Sequence, residues 1–115
     1  LPIDPAGEHS GTPVFRVRDY PAVNLVFPAG AAEALWMEVS RLLDTNQPHN
    51  IVFTHSHTYL FPRNPDPKEK GKELYGGEEP GGLEYGGIFV AYDRETFEGL
   101  TSDRICELLR RTTIA

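Results

Sequence analysis

The chain has few of the residues that cross-link or anchor small folds, and it has no long apolar run. Its 115 residues include one Cys, one Met and one Trp. The single Cys106 excludes an intrachain disulfide and suits a reducing compartment, so we predict a cytoplasmic location, with an organelle as the alternative. No apolar run approaches the roughly 18 residues that span a bilayer, and no signal peptide is visible, so we expect a soluble chain.

The charge balance is acidic. Lys and Arg number 11 against 17 Asp and Glu, and the formal net charge is −6. A surface that binds nucleic acid would show a basic stripe, so we expect no nucleic-acid partner. Because salt screens charges over about 10 Å, one local basic site is still compatible with this balance.

The length and the spacing of prolines and glycines predict one domain with a short extension. Residues 1–12 have little apolar surface, and they predict an extended N-terminal arm. Residues 13–115 are enough for a single domain with its own core. The residues that break regular structure in the arm are Pro2, Pro5, Gly7 and Gly11.

The apolar pattern predicts two strands and a helix at the start of this domain. Alternation of apolar and polar residues indicates a strand over 14–20, and a second strand follows at 23–27. Apolar residues at helical spacing predict a helix over 31–43. Within that helix we expect Trp36 to be buried as an anchor of the core.

Residues 49–63 predict a β-hairpin, and the rest of the chain completes the fold. Two apolar strands, 50–54 and 58–61, flank a tight His55-Ser56-His57 turn. A long Gly- and Pro-rich loop over 64–83 leads to a strand over 85–92, a short helical turn and a last helix, which Ser102 or Thr101 can cap. The predicted order is β-β-α-β-β-loop-β-α. This order indicates an α+β domain with an antiparallel sheet packed by two helices.

The histidines of the hairpin suggest three alternatives. His55 and His57 are two residues apart, so on a strand both imidazoles would share a face and could bind a metal. They could also contact a ligand, or simply form a polar turn, which we favour because no suitable third metal ligand is apparent. A catalytic histidine triad is excluded because Tyr59 occupies the place of its third histidine. We therefore expect no metal, no cofactor and no catalytic residue here.

A group of basic residues follows the hairpin and could bind phosphate. The planar guanidinium of arginine binds phosphate bidentately, and the ammonium group of lysine acts as a point charge. Such a group of residues could therefore hold a di- or triphosphate. The alternative is a solvated loop, because Glu69 and Glu73 lie between and beside the lysines. Gly71-Lys72-Glu73 is not a Walker A sequence, which needs Ser or Thr after the Lys. The basic residues are Arg63, Lys68, Lys70 and Lys72.

Asn50 is a further candidate for contact with a ligand. It opens the first strand of the hairpin, directly after Pro48-His49. Its alternative role is to tie down the backbone where the strand begins. No acidic residues pair convincingly as a general acid and base, so Asn50 and the basic group are the predicted substrate-binding residues.

Three stretches in a fixed order resemble one enzyme family. The run His49-Asn-Ile-Val-Phe-Thr-His-Ser-His-Thr-Tyr-Leu-Phe-Pro-Arg63 resembles a strand pair in the C-terminal half of GDP-hexose phosphorylases. These include GDP-L-galactose and GDP-D-glucose phosphorylases, in the superfamily of histidine-triad proteins and galactose-1-phosphate uridylyltransferases. Val17-Arg-Asp-Tyr-Pro21 with Leu25-Val-Phe27 is similar to the family's entry strands, and the run from Leu83 to Thr113 is similar to its ending.

The resemblance implies a fold and a partial activity. It implies a histidine-triad-like fold and a role in converting a GDP-hexose and phosphate to hexose 1-phosphate and GDP. In such enzymes a histidine attacks the α-phosphate and forms a covalent intermediate. That histidine lies in the family's N-terminal half, and nothing in this chain matches that half. The partners implied are a nucleotide sugar or nucleoside diphosphate, phosphate, and a missing N-terminal half or partner subunit.

A second interpretation of the same resemblance belongs to another class of protein. Without the catalytic half, the chain alone is expected to be inactive. The alternative is therefore a non-catalytic accessory or structural subunit that reuses this fold in a larger assembly. Pairing of a sheet edge with another polypeptide would favour that role.

Overall fold

A computed structural model describes residues 2–9, 11–63, 75–76, 80–91 and 93–113. Five strands and four helices lie in these ranges. The strands are β1 (Ile3–His9), β2 (Thr12–Val17), β3 (Leu25–Pro28), β4 (His49–Phe53) and β5 (His57–Pro62). The helices are α1 (Ala32–Asp44), α2 (Gly82–Tyr85), α3 (Arg94–Gly99) and α4 (Ser102–Thr112). Among these helices, none is both long and apolar enough to cross a membrane.

The strands form one antiparallel sheet in the order β1-β2-β3-β5-β4. The predicted α+β class and antiparallel sheet are confirmed. Helices α1 and α4 are long, as the sequence predicted, and α2 and α3 are short additions. Helix α1 connects β3 to β4 in the chain, whereas β5 lies between β3 and β4 in the sheet. The hairpin of β4 and β5 therefore pairs with β3 through β5.

The N-terminal segment belongs to the sheet. The sequence predicted an extended arm over residues 1–12, and the backbone is extended, but Ile3–His9 pairs with β2 as an edge strand. The pairing register shifts between Pro5 and Gly7, where Gly7 has a φ of 118° that glycine alone adopts easily. The ladder with β2 and the packing of Ala6 against the hydrophobic core hold this segment in the sheet, although it has little apolar surface of its own.

Helix α1 covers one face of the sheet, here called the helix face. Val14, Phe27 and Leu60 point to this face and are at most 1% exposed. They pack against Ala34 and Leu42 of α1. Burial of these aliphatic and aromatic side chains, at about 25 cal/mol per Å² of apolar area, is the main force that holds α1 on the sheet.

The predicted burial of Trp36 is wrong. Its side chain is 62% exposed, whereas Ala34, Glu38 and Leu42 are buried. These three inward positions are four residues apart and form one row on the helix, and Trp36 lies about 200° around the axis from Ala34. Leu35 and Val39 flank the buried row, so the apolar stripe is wider than the surface that α1 buries.

Glu38 is the polar member of that buried row. Its carboxylate forms an ion pair with Arg41 one turn later, and His9 Nδ1 of β1 lies 3.3 Å from its other oxygen. A buried carboxylate requires such partners, because its desolvation is costly. The arrangement links the edge strand β1 to α1.

The opposite face, here called the pocket face, is covered by the C-terminal helices. Phe61 of β5, Tyr85 of α2 and Leu109 of α4 form a second buried cluster with Ala22. The rings of Phe61 and Tyr85 stack with centroids 5.4 Å apart. The two clusters make a three-layer arrangement in which the sheet separates α1 from α2 and α4.

The predicted strand over 85–92 is wrong within the described residues. Tyr85 is instead the last residue of α2, and residues 86–91 form a turn and irregular backbone. The Gly86 N–H donates to the Gly82 carbonyl at 3.1 Å. The Glu84 carboxylate accepts a hydrogen bond from the Gly81 N–H at 2.7 Å, which satisfies the start of this helical turn. Gly87, with a φ of 95°, ends it. This local capping outweighs the apolar, aromatic composition that suggested a strand.

The last two helices begin at capping residues. The Asp93 carboxylate accepts from the Thr96 N–H at 2.7 Å and starts α3, and this hydrogen bond lowers the pKa of Asp93. The Thr101 hydroxyl accepts from the Arg104 N–H and starts α4. The sequence predicted a cap at Thr101 or Ser102, and the structure selects Thr101.

Candidate functional site

The hairpin of β4 and β5 is formed as predicted. His49 pairs with Pro62 and Phe53 pairs with Thr58, so all of β4 lies against β5. The Thr54 N–H donates to the His57 carbonyl at 2.9 Å, and the Thr54 hydroxyl donates to the same oxygen. These bonds close the loop around His55 and Ser56, which confirms the predicted turn.

The histidines are arranged as parts of the turn and strand. The His57 ring lies 3.0 Å from the Ser56 hydroxyl and 6.4 Å, centroid to centroid, from Tyr59. His49 Nδ1 lies 3.0 Å from the Gln47 carbonyl. In the described part of the chain, no three His, Cys, Asp or Glu side chains are grouped so that they could hold a metal ion.

The register places several candidate residues on one face. Asn50 pairs with Phe61, and Val52 pairs with Tyr59. Phe61 belongs to the pocket-face cluster, and because side chains alternate along a strand, Asn50, Val52 and Tyr59 point to that face too. Arg63 continues the same alternation, two residues beyond Phe61. The hairpin therefore presents polar residues at its open end and aromatic residues in its middle.

An aromatic pocket of about 220 Å³ lies on this face. Tyr85 is its fully buried wall, and Tyr20 closes one side by donating its hydroxyl to the Tyr85 carbonyl at 2.5 Å. Desolvation raises the pKa of both phenols, so they stay neutral near pH 7. A pocket of this kind can hold a flat ring or the apolar face of a sugar. Its lining comprises Val17, Tyr20, Val52, Thr54, Tyr59, Phe61, Tyr85 and Gly86.

Arg63 is held where the hairpin meets the C-terminal helix. Its N–H donates to the Pro48 carbonyl at 2.7 Å, and its backbone bridges to Thr113 after α4. Burial raises the pKa of the Tyr85 phenol. The charge of Arg63 and a hydrogen bond with Arg63 are among the smaller effects that lower it. The half-buried guanidinium thus lies close to the Tyr85 hydroxyl, which donates to Thr112 Oγ1 at 2.8 Å.

Asn50 lies at the same end of the hairpin as Arg63. Its register partner is Phe61, so Asn50 and Arg63 are diagonal neighbours on the pocket face. The Asn50 Oδ1 atom is buried and has no hydrogen-bond partner among the residues that the structure describes. A buried carbonyl oxygen without a partner costs free energy, so this atom is a site where a donor from a ligand could bind.

The structure describes only part of the predicted site. It brings Asn50 and Arg63 together, but Lys68, Lys70 and Lys72 lie outside the described residues. The phosphate-binding role of these lysines, and of Asn50 and Arg63, stays a prediction.

The aromatic pocket was not predicted. The period-two pattern of Val52, Thr54, Tyr59 and Phe61 could have identified four of its residues as one face of the hairpin. Tyr85 could not be found this way, because it was assigned to a strand. Its position depends on the glycines and Glu84 that start and end α2.

Comparison with known proteins identifies the family. A family model described as the GDPGP1-like, C-terminal domain matches residues 3–115. No curated protein and no solved structure matches the chain. Because the match covers nearly the whole chain, the chain belongs to this family of GDPGP1-like C-terminal domains.

Proposed function

We propose that this domain is part of a cytoplasmic enzyme that converts a GDP-hexose and phosphate to hexose 1-phosphate and GDP. The observation that carries the proposal is the family match over residues 3–115. The pocket face supports it, because an aromatic pocket lies beside a polar end formed by Asn50 and Arg63. The lone Cys106 supports the cytoplasmic location.

In this proposal the domain contributes binding and not the nucleophile. Among the described residues that line the pocket there is no histidine, cysteine, serine or carboxylate. The histidine that forms the covalent nucleotidyl intermediate therefore comes from another part of the enzyme or from a partner subunit. The fold of the domain is proposed to be histidine-triad-like, with the pocket face directed towards the ligand.

The substrate-binding residues of the proposal lie at the open end of the hairpin. Arg63 would contact a phosphate oxygen through its guanidinium, and Asn50 Oδ1 would accept a hydrogen bond from a hydroxyl or an amine of the ligand. The lysines at 68, 70 and 72 would add positive charge near the same phosphates. Such a local basic group would offset the repulsion between a dianion and a chain of net charge −6.

One observation favours the alternative, a non-catalytic accessory domain. The pocket volume of about 220 Å³ is smaller than the roughly 300 Å³ at the lower end of the range for drug-sized ligands. A pocket of this size can take a single ring but not a whole nucleotide sugar. The enzyme proposal therefore requires that most of the nucleotide lies outside the pocket, across the polar end.

Calorimetric titration of the chain with GDP and GDP-glucose tests the proposal. We expect binding that weakens about tenfold or more in Arg63→Ala, because a charge-assisted contact with phosphate is lost. Arg94→Ala is the matched control, since Arg94 lies on α3 and pairs with Glu98 on the surface. It is expected to leave the affinity unchanged.

A second variant separates ligand contact from loss of structure. Asn50→Asp keeps the size of the side chain but adds a negative charge, and it should weaken GDP binding more than guanosine binding. Circular dichroism checks that each variant is folded. Equal affinity of the folded wild type, Arg63→Ala and Asn50→Asp for GDP would contradict the proposed site, and no measurable binding would favour the accessory role.

A further inference from the structure

Most hydroxyl groups of the aromatic pocket donate their hydrogen atoms within the protein. Tyr20 donates to the Tyr85 carbonyl at 2.5 Å, and the Tyr85 hydroxyl donates to Thr112 at 2.8 Å. The Thr54 hydroxyl donates to the His57 carbonyl at 2.8 Å. Among the described residues that line the pocket there is no carboxylate, amide, guanidinium or ammonium side chain. The pocket therefore offers a ligand large apolar surfaces and few hydrogen-bonding partners.

This chemistry favours one part of a nucleotide sugar over the others. A hexose ring carries hydroxyl groups on all sides, and burial in this pocket would leave most of them without partners, which is costly. Burial of a charged phosphate would cost still more. A nucleobase has two flat faces without hydrogen-bonding groups, and such faces stack on aromatic side chains. The pocket is therefore suited to a base.

The walls of the pocket are formed before any ligand binds. The Phe61 ring stacks on Tyr85 at 5.4 Å between centroids, and Tyr20 lies 6.2 Å from Phe61. Tyr59 and Val52 pair across the hairpin and complete the same side of the lining. Walls that are already packed in this way lose little conformational freedom when a flat ring system binds between them.

The pocket and the polar end of the hairpin lie along one line of the pocket face. Val52 is two residues from Asn50, and Tyr59 is four residues before Arg63, which is about 7 Å and about 13 Å at about 3.3 Å per residue. A ribose, two phosphates and the long arginine side chain can bridge such a separation. A base in the pocket and a phosphate at Arg63 can therefore belong to one nucleotide.

From these observations we propose that the aromatic pocket binds the guanine base of the GDP-hexose, and that it recognises a flat purine without identifying which purine it is. The inference rests on the proposed function and adds the position of the base. With no carboxylate or amide side chain in the described lining, the hydrogen-bonding edge of guanine faces out of the pocket. Selection of guanine over adenine is then the task of another part of the enzyme.

Solution NMR of the chain with ¹³C-labelled valine methyl groups tests where the base binds. The ring current of a bound base should shift the methyl signals of Val17 and Val52, which line the pocket. We expect these shifts with GDP and with guanosine, but not with glucose 1-phosphate, which has no base. Val23 is the internal control, because it is 41% exposed and does not line the pocket. Its signal should stay in place.

Variants of the wall test whether stacking holds the base. Tyr59→Ala should weaken GDP binding about fivefold to a hundredfold, whereas Tyr59→Phe keeps the ring and should bind GDP as the wild type does. Val52→Phe fills the pocket and should also weaken binding. Phe97→Ala removes an exposed ring on α3 and should change nothing. Circular dichroism checks the fold of each variant.

ADP tests the selectivity, and we expect it to bind within about threefold of GDP, because stacking depends little on the identity of the base. A preference for GDP above about tenfold would overturn the inference, as would shifts of both lining valines with glucose 1-phosphate.

The outcomes for the base site and for the phosphate site can be told apart. If GDP leaves both lining valines unshifted but still binds more weakly to Arg63→Ala, the inference fails and the proposed function stands. If guanosine and GDP shift both valines but Arg63→Ala binds GDP normally, the base site stands and the proposed phosphate contact fails. If neither GDP nor guanosine binds at millimolar concentration, both fail.

Discussion

The two faces of the sheet come from the same strands, yet they are built differently. The helix face buries mostly hydrocarbon, with Leu60 and Phe27 against α1. The pocket face buries aromatic rings with hydroxyl groups, and Tyr20 and Tyr85 each donate a hydrogen bond within it. The helix face therefore depends mainly on apolar burial, whereas the pocket face also depends on directional hydrogen bonds, and its rings line the aromatic pocket.

The comparison is sharpest at Leu60 and Phe61, which are neighbours in the chain and point to opposite faces. Leu60→Ala should lower the free energy of unfolding by about 2–5 kcal/mol, because it leaves a cavity against α1 where Leu60 is 1% exposed. Urea denaturation measures this loss. A loss under about 1 kcal/mol would mean that the helix face is not closely packed.

The matching change on the pocket face should cost less. Phe61→Leu keeps most of the apolar volume but removes the stacking with Tyr85, and we expect a loss of about 1–2 kcal/mol. The same urea experiment measures it. We also expect the neighbouring pocket to become larger, so an apolar dye should bind better to this variant than to the wild type. A cost as large as that of Leu60→Ala would remove the contrast between the two faces.

Because of the Tyr85 hydroxyl, we expect the stability of the wild type and of Tyr85→Phe to change differently at alkaline pH. Burial raises the pKa of Tyr85 in the folded state, so above the ordinary pKa near 10 the unfolded chain loses this proton first. The contribution of Tyr85 to stability is therefore full below about pH 10 and is lost as the pH rises through the folded pKa. Tyr85→Phe should show a smaller fall in stability between about pH 9 and 11.

That variant also changes stability at neutral pH. It removes the hydrogen bond to Thr112, which should cost about 1 kcal/mol at pH 7. Thermal unfolding followed as a function of pH measures both effects. Tyr20→Phe is a useful partner, because Tyr20 also has a raised pKa and donates to the Tyr85 carbonyl. Identical pH profiles of Tyr85→Phe and the wild type would contradict the assignment.

The smallest expected effect is at the rim of the pocket. Thr54 lines the pocket but is exposed, and its hydroxyl donates to the His57 carbonyl at 2.8 Å. Thr54→Val should lower stability by less than about 1 kcal/mol, because the backbone bond between the same residues remains. Thermal unfolding measures it. A larger loss would indicate that the turn, and not the aromatic packing, maintains the shape of the pocket.

Local patterns predicted the hairpin because the residues that specify it lie close together in the sequence. Apolar residues on both sides of a short polar turn predicted the two strands and the turn between them, and the structure confirms the hairpin. The register that brings Asn50 and Arg63 close together was not predicted and comes from the structure. The position of β1 could not be predicted in this way, because a segment rich in Pro and Gly joins the sheet only when β2 offers it a partner.

Two errors show where local patterns were insufficient. Trp36 is apolar and lies on an amphipathic helix, but whether it is buried depends on which side of α1 meets the sheet. The residues predicted as a strand over 85–92 had strand composition, but hydrogen bonds from Gly81 and Gly86 make Tyr85 the end of α2, and no strand forms among the described residues that follow. In both cases the outcome depended on contacts with neighbouring residues, and the periodicity of one segment carries no information about those contacts.

The sequence by itself determined the α+β class, the hairpin and the family, because each depends on short-range spacing or on motifs in a fixed order. Only the tertiary structure decided which strands lie at the edges, where Trp36 points, and that Tyr20, Phe61 and Tyr85 enclose a pocket. These features join residues up to 65 positions apart, as in the Tyr20–Tyr85 hydrogen bond. Such contacts are set by the packing of whole layers, and packing depends on every face at once.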